Sequence, residues 1–176
     1  MYINMNKTNY ERLRTEDAID LIGKQWMLVT AGNAQGFNTM TASWGCLGWL
    51  WNRPVAVVFI RPERYTYAFV EENERLTLSF FGDDCRKALQ VCGSKSGRDC
   101  DKVAEAGLHP VCLDGGVVGF SEARLTLVCR KLFRSEMRPE SFLDPEILSN
   151  WYHDRPGGGL HTIFIAEIEE VYGSQD

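Results

Sequence analysis

The sequence lacks the features that mark several large classes of protein. It has no run of the roughly 20 apolar residues that a membrane-spanning helix needs, and its strongest apolar stretches are residues 44–51 and 55–60. Positive charge is not in excess either, because 19 Lys and Arg stand against 24 Asp and Glu, for a net charge of -5. Nucleic acids and anionic membrane surfaces preferentially bind proteins with an excess of positive charge. The composition therefore argues against both as partners, although a local basic site for one small anion is compatible with it.

Several motifs of common enzymes are also missing. The six cysteines contain no C-x-x-C pair, so a zinc site has no support. No G-x-G-x-x-G or Walker A pattern supports a Rossmann or P-loop nucleotide site. Nor does a G-x-S-x-G or H-E-x-x-H motif support a hydrolase or a metalloprotease. We expect the cysteines to be reduced thiols, several of them serving as small buried apolar side chains.

The composition is that of an ordinary globular domain. The chain has 176 residues, of which 44% are hydrophobic and 24% are charged, values that suit one domain with a proper core. Residues 1–14 alternate polar and charged residues and lack the apolar core of a secretory signal. We therefore expect a single cytoplasmic domain.

Local patterns predict a mainly β fold. A first helix is expected to begin at Thr15 as its N-cap, with Ala18, Ile19 and Ile22 on one face and Gly23 at its end. Strands are predicted over residues 26–31, 37–43, 55–60, 75–81, 124–134 and 162–171. Short helices are predicted over residues 66–72, 84–91, 99–106 and 145–152. Many short strands without regular β-α alternation favour a closed antiparallel β-barrel with added short helices.

The first candidate binding segment is a strand that carries a row of hydroxyl groups. A strand conformation places Thr39, Thr41 and Ser43 on one face of this segment. Such a row could bind a flat polar ligand whose ring approaches the backbone; the alternative is a solvent-facing strand surface, where threonine is common. The segment consists of Asn38, Thr39, Met40, Thr41, Ala42, Ser43 and Trp44.

Two short basic segments each precede a predicted helix. A helix N-terminus offers free N–H groups and the positive end of the helix dipole, so arginines and hydroxyls gathered there can hold an anion. The alternative is that these side chains are simply solvated, as exposed arginines usually are. The side chains concerned are Arg61, Arg64 and Thr66 in the first segment and Ser96, Arg98 and Lys102 in the second.

One of the three histidines has a position that suggests chemistry. His161 opens the last predicted strand, immediately after the glycine-rich residues 156–159. It could contact a substrate or pass a proton, or it could be a hydrogen-bonded strand terminus. His109 and His153 have no acidic or cysteine partner at a telling distance in the sequence, and we assign them no role.

Six motifs follow one another between residues 26 and 171. They are W-M-L-V-T-A-G, N-T-M-T-A-S-W-G, V-F-I-R-P-E-R-Y-T-Y, S-G-R-D-C-D-K, C-R-K-L-F and H-T-I-F-I-A-E-I. In this order and spacing, they resemble the flavin reductase-like family of FMN-binding split-barrel proteins, and most closely its flavoredoxin-type branch. The resemblance implies a Greek-key antiparallel split barrel, a homodimer, and non-covalent FMN bound near the subunit interface.

The same resemblance implies roles for the candidate residues. Residues 38–44 would line the isoalloxazine ring and the ribityl chain, with Thr41 and Ser43 as the main polar contacts. The six side chains of the two basic segments would face the phosphate. His161 matches the histidine that lies near the expected nicotinamide in flavin reductases. Two departures from the family are Ala166, where glycine is common, and the insertion-like residues 156–159.

The resemblance implies an FMN-binding oxidoreductase and leaves its partners open. Our first hypothesis is a flavin reductase that passes hydride from NADH or NADPH to the flavin N5 and serves another enzyme or acceptor. The alternative is a flavoredoxin-like electron-transfer protein that keeps FMN bound and receives electrons from a redox protein. The third hypothesis is an FMN-binding module without turnover. The motifs do not distinguish these three hypotheses, because all three need the same pocket. Trp44, Trp49 and Trp51 could pack in the barrel, at the dimer interface or at the flavin edge.

Overall fold

The structure is a computed structural model that describes residues 6–152 and 159–173. In chain order, its strands are β1 (Asn6–Thr8), β2 (Met27–Asn33), β3 (Gly36–Ala42), β4 (Gly45–Leu50), β5 (Arg53–Ile60), β6 (Arg75–Phe80), β7 (Pro110–Cys112), β8 (Val118–Phe120), β9 (Leu125–Glu136) and β10 (Thr162–Gly173). Its α-helices are α1 (Ala18–Asp20), α2 (Tyr65–Glu72), α3 (Arg86–Ser94), α4 (Lys102–Glu105) and α5 (Pro145–Trp151). Short 3₁₀ helices cover Tyr10–Thr15, Asp83–Cys85, Asp114–Gly116 and Pro139–Ser141, and a π turn covers Leu21–Gln25.

One antiparallel sheet of eight strands forms the body of the molecule. Its order is β3-β2-β6-β9-β10-β5-β4, with β1 paired to β10, while β7 and β8 form a separate hairpin. The strands at the two edges, β3 and β4, are consecutive in the chain and are joined only by Ser43 and Trp44. Three Cα steps reach at most about 11 Å. The two edges must therefore meet, so the sheet curls into a barrel.

The barrel is split. The sequence pattern favoured a closed barrel, but the strand order of the described residues contains no ladder between β3 and β4. Instead, β3 packs against α3, where the Thr41 hydroxyl donates to the carbonyl of Leu89 at 2.5 Å. The prediction of a mainly β, antiparallel fold with short added helices is confirmed. The prediction from the strand pattern that the barrel is closed is wrong, because no hydrogen bonds of a ladder join β3 to β4 in the described residues.

Three apolar clusters hold the described residues together, and the smallest contains Val117, Val128 and Tyr172. The main one fills the barrel with side chains such as Val29, Leu78 and Phe164. The second lies between the outer face of β2 and the helix α3, and it includes Leu28 and Cys92. Strand β2 is consequently buried on both faces, as its run of apolar residues requires.

The first helix differs from its prediction. It begins at Ala18, and its N-cap is Asp17, whose carboxylate accepts hydrogen bonds from two backbone N–H groups of the first turn; Thr15 belongs to the preceding 3₁₀ helix. The π turn that follows α1 rotates the buried face, so Leu21 and Ile22 enter the core while Ile19 is 84% exposed. The cap was misplaced because Thr15 and Asp17 are both good N-cap residues.

Other boundaries shift by a few residues, and some elements were missed. The predicted helix over residues 99–106 shrinks to α4, because Asp101 caps it by accepting the N–H of Ala104 at 3.1 Å. Strands β1, β4, β7 and β8 were not predicted; β4 carries Gly45 and Gly48, which weaken a strand pattern. None of the described helices combines the length and the apolar composition that crossing a membrane requires.

Candidate functional site

A cleft of about 390 Å³ opens between the N-terminus of α2 and the loop that joins α3 to α4. It gathers residues from three separate segments that the sequence had singled out. The predicted residues that line it are Met40, Arg64, Thr66, Ser96, Arg98 and Lys102. The fold thus brings most of the two basic segments to one place, beside strand β3.

A buried hydrogen bond ties β3 to α2 beneath this cleft. Nδ2 of Asn38 donates to Oγ1 of Thr66 at 2.7 Å, and both side chains are buried. Gly97 packs directly on Asn38, since a Cβ atom there would lie 2.1 Å from Oδ1 of Asn38. The glycine in this segment is therefore required by close approach.

The N-terminus of α2 faces the cleft. Arg64 occupies the N-cap position, and its side chain makes no capping hydrogen bond to the first turn. Nη2 of Arg64 instead donates to the carbonyl of Gly93 at 2.9 Å, which holds the guanidinium beside α3. The first-turn N–H groups of a helix carry the positive end of its dipole. An anion in the cleft would meet both this helix end and the guanidinium.

Lys102 brings a buried ammonium group to the same cleft. Its Nζ donates to the carbonyls of Cys92 and Lys95 at 3.0 and 3.2 Å, and the residue is only 4% exposed. Burial lowers the pKa of Lys102, and the neighbouring Arg64 acts in the same direction. An ammonium has three donors, so two carbonyl bonds leave one available for an anion.

Lys95, which pairs with Glu105, also lines the cleft, as do the carboxylate residues Glu63 and Asp99. Arg98 adds a third cation to Arg64 and Lys102. Its guanidinium lies 4.7 Å from the centre of the Tyr65 ring, and Nη1 donates to the carbonyl of Glu63 at 3.2 Å. The backbone N–H of Arg98 donates to Oγ of Ser96 at 3.2 Å. Two guanidinium groups, an ammonium, hydroxyls and a helix N-terminus are the donors that a phosphate dianion requires.

The predicted row of hydroxyls is not an open face. Oγ1 of Thr39 shares a 2.8 Å hydrogen bond with Oγ1 of Thr30, and both are buried. The Thr41 hydroxyl donates a hydrogen bond to the carbonyl of Leu89 in α3, and Ala42 packs against the main core. Ser43 lies past the end of β3 and is partly exposed. The alternation of faces is as predicted, but two of the three hydroxyls bond within the protein.

Arg61 lies apart from the residues that line the cleft. Its Nη2 donates to the carbonyl of Trp151 at 2.9 Å, and its guanidinium lies 4.9 Å from the centre of the Tyr152 ring. Nη1 is buried and has no hydrogen-bond partner in the described part of the chain; Oε1 of Glu63, at 3.8 Å, is too distant for one. The sequence analysis had grouped Arg61 with Arg64, because both lie in the short segment between the strand predicted over residues 55–60 and a predicted helix.

His161 lies in a cluster of aromatic side chains near Arg61. Its Nδ1 is 2.7 Å from Oη of Tyr152, and its ring centre is 5.2 Å from that of Trp44. Trp44 in turn meets Trp151 edge-on at 5.3 Å. Burial, with a smaller contribution from Arg61, lowers the pKa of His161 to about 4, so the ring is neutral at neutral pH.

Sequence reasoning missed Trp151 and Tyr152 as parts of this cluster. The sequence feature that could have identified them is their position at the end of a predicted helix, just before the glycine-rich residues.

The expectation that His109 has no acidic partner was wrong, because its Nδ1 lies 2.5 Å from Oε1 of Glu122, which the β7–β8 hairpin brings opposite. His153 and residues 156–158 lie outside the described residues. Within those residues, no group of three or more His, Cys, Asp or Glu side chains could hold a metal ion.

Comparison with solved structures shows which fold this is. An FMN-binding domain of a flavin reductases-like enzyme from Shewanella baltica matches with a TM-score of 0.66 and 18% identity, over 98% of this chain and 80% of that one. A flavoredoxin from Methanosarcina acetivorans matches with a TM-score of 0.67 and 20% identity, over 86% and 69%. An NADH:FAD oxidoreductase from Streptomyces globisporus matches with a TM-score of 0.63 and 16% identity, over 85% and 75%.

Sequence comparison gives the family. No curated protein sequence matches significantly. The family model described as "Flavin reductase like domain" matches residues 20–176, which is most of the chain and includes both the cleft and the His161 cluster. This match confirms the resemblance carried by the six motifs, and the chain belongs to the flavin reductase-like family.

Proposed function

We propose that this protein is an FMN-binding oxidoreductase that takes electrons from NADH or NADPH. The observation that carries the proposal is the cleft at the N-terminus of α2, in which Arg64, Arg98 and Lys102 meet in a protein of net charge -5. When bound, FMN would supply the redox chemistry by accepting a hydride at N5. The side chains of this protein would bind the cofactor, position its ring and receive the electron donor.

The first task of the chain is to hold a phosphate monoester. The three cations, the Thr66 and Ser96 hydroxyls and the first turn of α2 would bind the phosphate of FMN in the cleft. Each charge-assisted hydrogen bond is worth about 1.5–3 kcal/mol when it is desolvated. Cations held close together in a partly buried cleft repel one another, and a bound dianion relieves that repulsion.

The second task is to position the flavin ring. Strand β3 begins beside the cleft, where Asn38 and Met40 lie, and leads to Trp44, which contacts His161. Six residues of strand span roughly 20 Å. We infer that residues 38–44 run alongside the cofactor from the phosphate towards the ring, with Ser43 and backbone groups as polar contacts in place of the engaged Thr39 and Thr41 hydroxyls.

The third task is to receive the electron donor next to the ring. His161 is neutral at neutral pH because of its burial, so it would act as a hydrogen-bonding group rather than as an acid or a base. The exposed faces of Trp44 and Trp151 beside it provide apolar surface for a planar ring. No side chain needs to act as a nucleophile in this reaction.

We also propose that the protein forms a homodimer through the β4 edge. Strand β4 pairs only with β5 among the described strands, and its outer edge is unpaired. Trp49 and Trp51 at its end are 59% and 53% exposed, and the Trp49 ring contacts the tilted ring of Tyr10 with their centres 5.9 Å apart. Exposed aromatic groups on an open strand edge are typical of a protein interface.

A flavoredoxin-like electron carrier is the second candidate. The exposed side chains of Trp44 and Trp151 give a redox protein direct access to the surroundings of His161. The similarity to a flavoredoxin structure supports this candidate, just as the similarity to an NADH:FAD oxidoreductase supports the first. The two differ in the identity of the donor.

Anaerobic stopped-flow absorbance tests the proposal. Purified protein loaded with FMN is mixed with NADH or with NADPH, and the loss of flavin absorbance is followed. Rapid bleaching with either nucleotide is the expected result. If neither bleaches the flavin but a reduced redox protein does, the electron-carrier candidate is correct. If no donor bleaches a flavin that stays bound through gel filtration, the chain is a binding module without turnover.

A further inference from the structure

Tyr152 contacts the histidine at the proposed donor site, and no role has yet been given to it. Its Oη lies 2.7 Å from Nδ1 of His161, and its ring meets the imidazole edge-on at 5.6 Å. We propose that Tyr152 is a positioning residue, which donates its hydroxyl proton to Nδ1 and so fixes His161 with its own proton on Nε2. The consequence for hydride transfer rests on the proposed function, whereas the tautomer itself does not.

The direction of this hydrogen bond follows from the acceptors around the hydroxyl. The only other acceptor it reaches among the described residues is Sδ of Met137, at 3.8 Å. A thioether is a weak acceptor, whereas an unprotonated imidazole nitrogen is a good one. The hydroxyl therefore donates to Nδ1. In a neutral imidazole one nitrogen carries the proton, so it lies on Nε2.

The surrounding charges keep both partners in the required states. Arg61, at the end of β5, is the cation facing the pair, and Glu63 lies 3.8 Å beyond it. A cation at this place disfavours a charged imidazolium and polarises the phenol towards donation. Burial raises the pKa of Tyr152, so the hydroxyl keeps its proton, even though Arg61 acts in the opposite direction.

Tyr152 is itself held in place from two sides. The adjacent carbonyl of Trp151 accepts a hydrogen bond from Arg61, and the Trp151 ring packs on Trp44. These contacts fix the end of α5 against β5 and against the residues that follow β3. The backbone that carries the hydroxyl is therefore tied to both neighbouring segments, as a positioning group requires.

This tautomer determines the chemistry that His161 offers to a ligand. Nε2 of His161 makes no hydrogen bond within residues 6–152 and 159–173. As an N–H donor, it would bind an acceptor oxygen such as the carbonyl of a carboxamide. A histidine with the opposite tautomer would present a lone pair to the same oxygen and would repel it.

Nitrogen NMR of the histidine rings in the purified protein, with its bound flavin, tests the proposal. The signals of His161 are assigned with His161→Asn, and a protonated ring nitrogen is distinguished from an unprotonated one by its chemical shift. We expect Nε2 to be protonated and Nδ1 unprotonated. Tyr152→Phe should shift the Nδ1 signal, because its hydrogen bond is lost. A proton found on Nδ1 in the unmodified protein overturns the proposal, with no variant needed.

Tyr67→Phe is the matched control. Oη of Tyr67 accepts a hydrogen bond from Thr162, the residue after His161, at 3.3 Å. This variant removes a tyrosine hydroxyl at the same strand end and should leave the His161 signals unchanged. Equal shifts in both tyrosine variants would contradict a specific role for Tyr152.

Kinetics separates this inference from the proposed function. In an active reductase, Tyr152→Phe should lower kcat/KM for the nicotinamide about tenfold, the effect of losing one ordinary hydrogen bond, while FMN affinity stays unchanged. A protein that shows the expected tautomer but never oxidises NADH or NADPH contradicts the proposed function and leaves the positioning role intact. An active enzyme whose Tyr152→Phe variant keeps its full kcat/KM overturns the positioning role.

Discussion

Side chains in the cleft carry more positive charge than the protein around them. Arg64, Arg98 and Lys102 all line one space, and the buried ammonium of Lys102 donates to the carbonyls of Cys92 and Lys95 in the described part of the chain. A core designed only for stability would avoid this arrangement, because buried charges are costly to desolvate. The arrangement makes sense for a site whose ligand brings negative charge.

Replacing Arg64 tests the phosphate assignment. Arg64→Ala should weaken FMN binding about 10- to 150-fold, because a charge-assisted hydrogen bond is worth about 1.5–3 kcal/mol. Riboflavin, which lacks the phosphate, should lose little affinity. Titration of apoprotein with each flavin, followed by flavin fluorescence, gives both constants. Equal losses for the two flavins would show that Arg64 does not face the phosphate.

His161 should make the stability of the fold depend on pH. The pKa of this group falls from its ordinary value of 6.5 to about 4 in the folded protein. Between these values the unfolded state binds more protons, so the free energy of unfolding falls as the pH is lowered from 6.5 to 4. The contribution is on the order of 3 kcal/mol, because each factor of ten in proton affinity is worth about 1.4 kcal/mol.

Urea unfolding at several pH values measures this effect. His161→Gln should flatten the fall in unfolding free energy between pH 6.5 and 4, and Gln35→Ala, at an exposed and uncharged side chain, should not. Identical pH profiles for the unmodified protein and the His161 variant would contradict the assigned burial effect.

Local patterns reveal some site residues and conceal others. Thr66, Ser96 and Lys102 could be proposed from the sequence because each belongs to a short segment whose composition suggests an anion near a helix start. Arg61 and Tyr152 could not be placed, because their contacts join β5, α5 and β10. The two residues are 91 positions apart in the sequence, and no local sequence pattern indicates that they are in contact.

At the level of elements, the cleft depends on how the loop between α3 and α4 presses against β3. Gly97 supplies the contact, since a Cβ atom there would lie 2.1 Å from Oδ1 of Asn38 and 3.2 Å from Cδ1 of Tyr65. Sequence patterns predicted the helices on both sides of this loop with the wrong ends, because the true start of α4 depends on the Asp101 cap. The loop therefore covers residues 95–101 instead of the predicted residues 92–98, which brings Arg98 into its middle beside the cleft.

A methyl group at residue 97 should disturb the cleft without unfolding the protein. Gly97→Ala would displace Asn38 and break its hydrogen bond to Thr66, so FMN affinity should fall about tenfold, and overpacking should lower the unfolding free energy by about 1–3 kcal/mol. Gly23→Ala is the control, because a Cβ atom there meets nothing within 4 Å. Flavin titration and urea unfolding measure both effects. Unchanged FMN affinity in the Gly97 variant would show that the Asn38–Thr66 bond does not support the cleft.

At the scale of the whole molecule, the mainly β architecture could be predicted and its split could not. Alternating residues in β6 and β9 predict strands, and the absence of β-α alternation predicts antiparallel pairing. The missing ladder between β3 and β4 depends on where α3 packs, which is a tertiary property. Strand β4 itself escaped prediction because exposed tryptophans beside glycines do not follow a strand period.

The open β4 edge leads to a prediction about assembly. Trp49→Glu should place a charge in the proposed interface and weaken dimerisation on the order of 100-fold, as loss of a central interface aromatic commonly does. Leu143→Glu, at a side chain that is 99% exposed elsewhere, should have no effect. Sedimentation velocity over a range of concentrations gives the dissociation constant. A monomeric unmodified protein, or equal behaviour of the two variants, would contradict the β4 interface.

The place of β10 in the sheet has a consequence for how the chain folds. This strand lies between β9 and β5, so it joins the half that contains β2, β3, β6 and β9 to the half that contains β4 and β5. It is also the last strand of the sheet to leave the ribosome. Until it emerges, the nascent chain has two partial sheets with no ladder between them, and their apolar faces stay exposed. Closure of the core is therefore a late event built on contacts between distant residues, which makes folding slow and exposes the unfinished chain to aggregation.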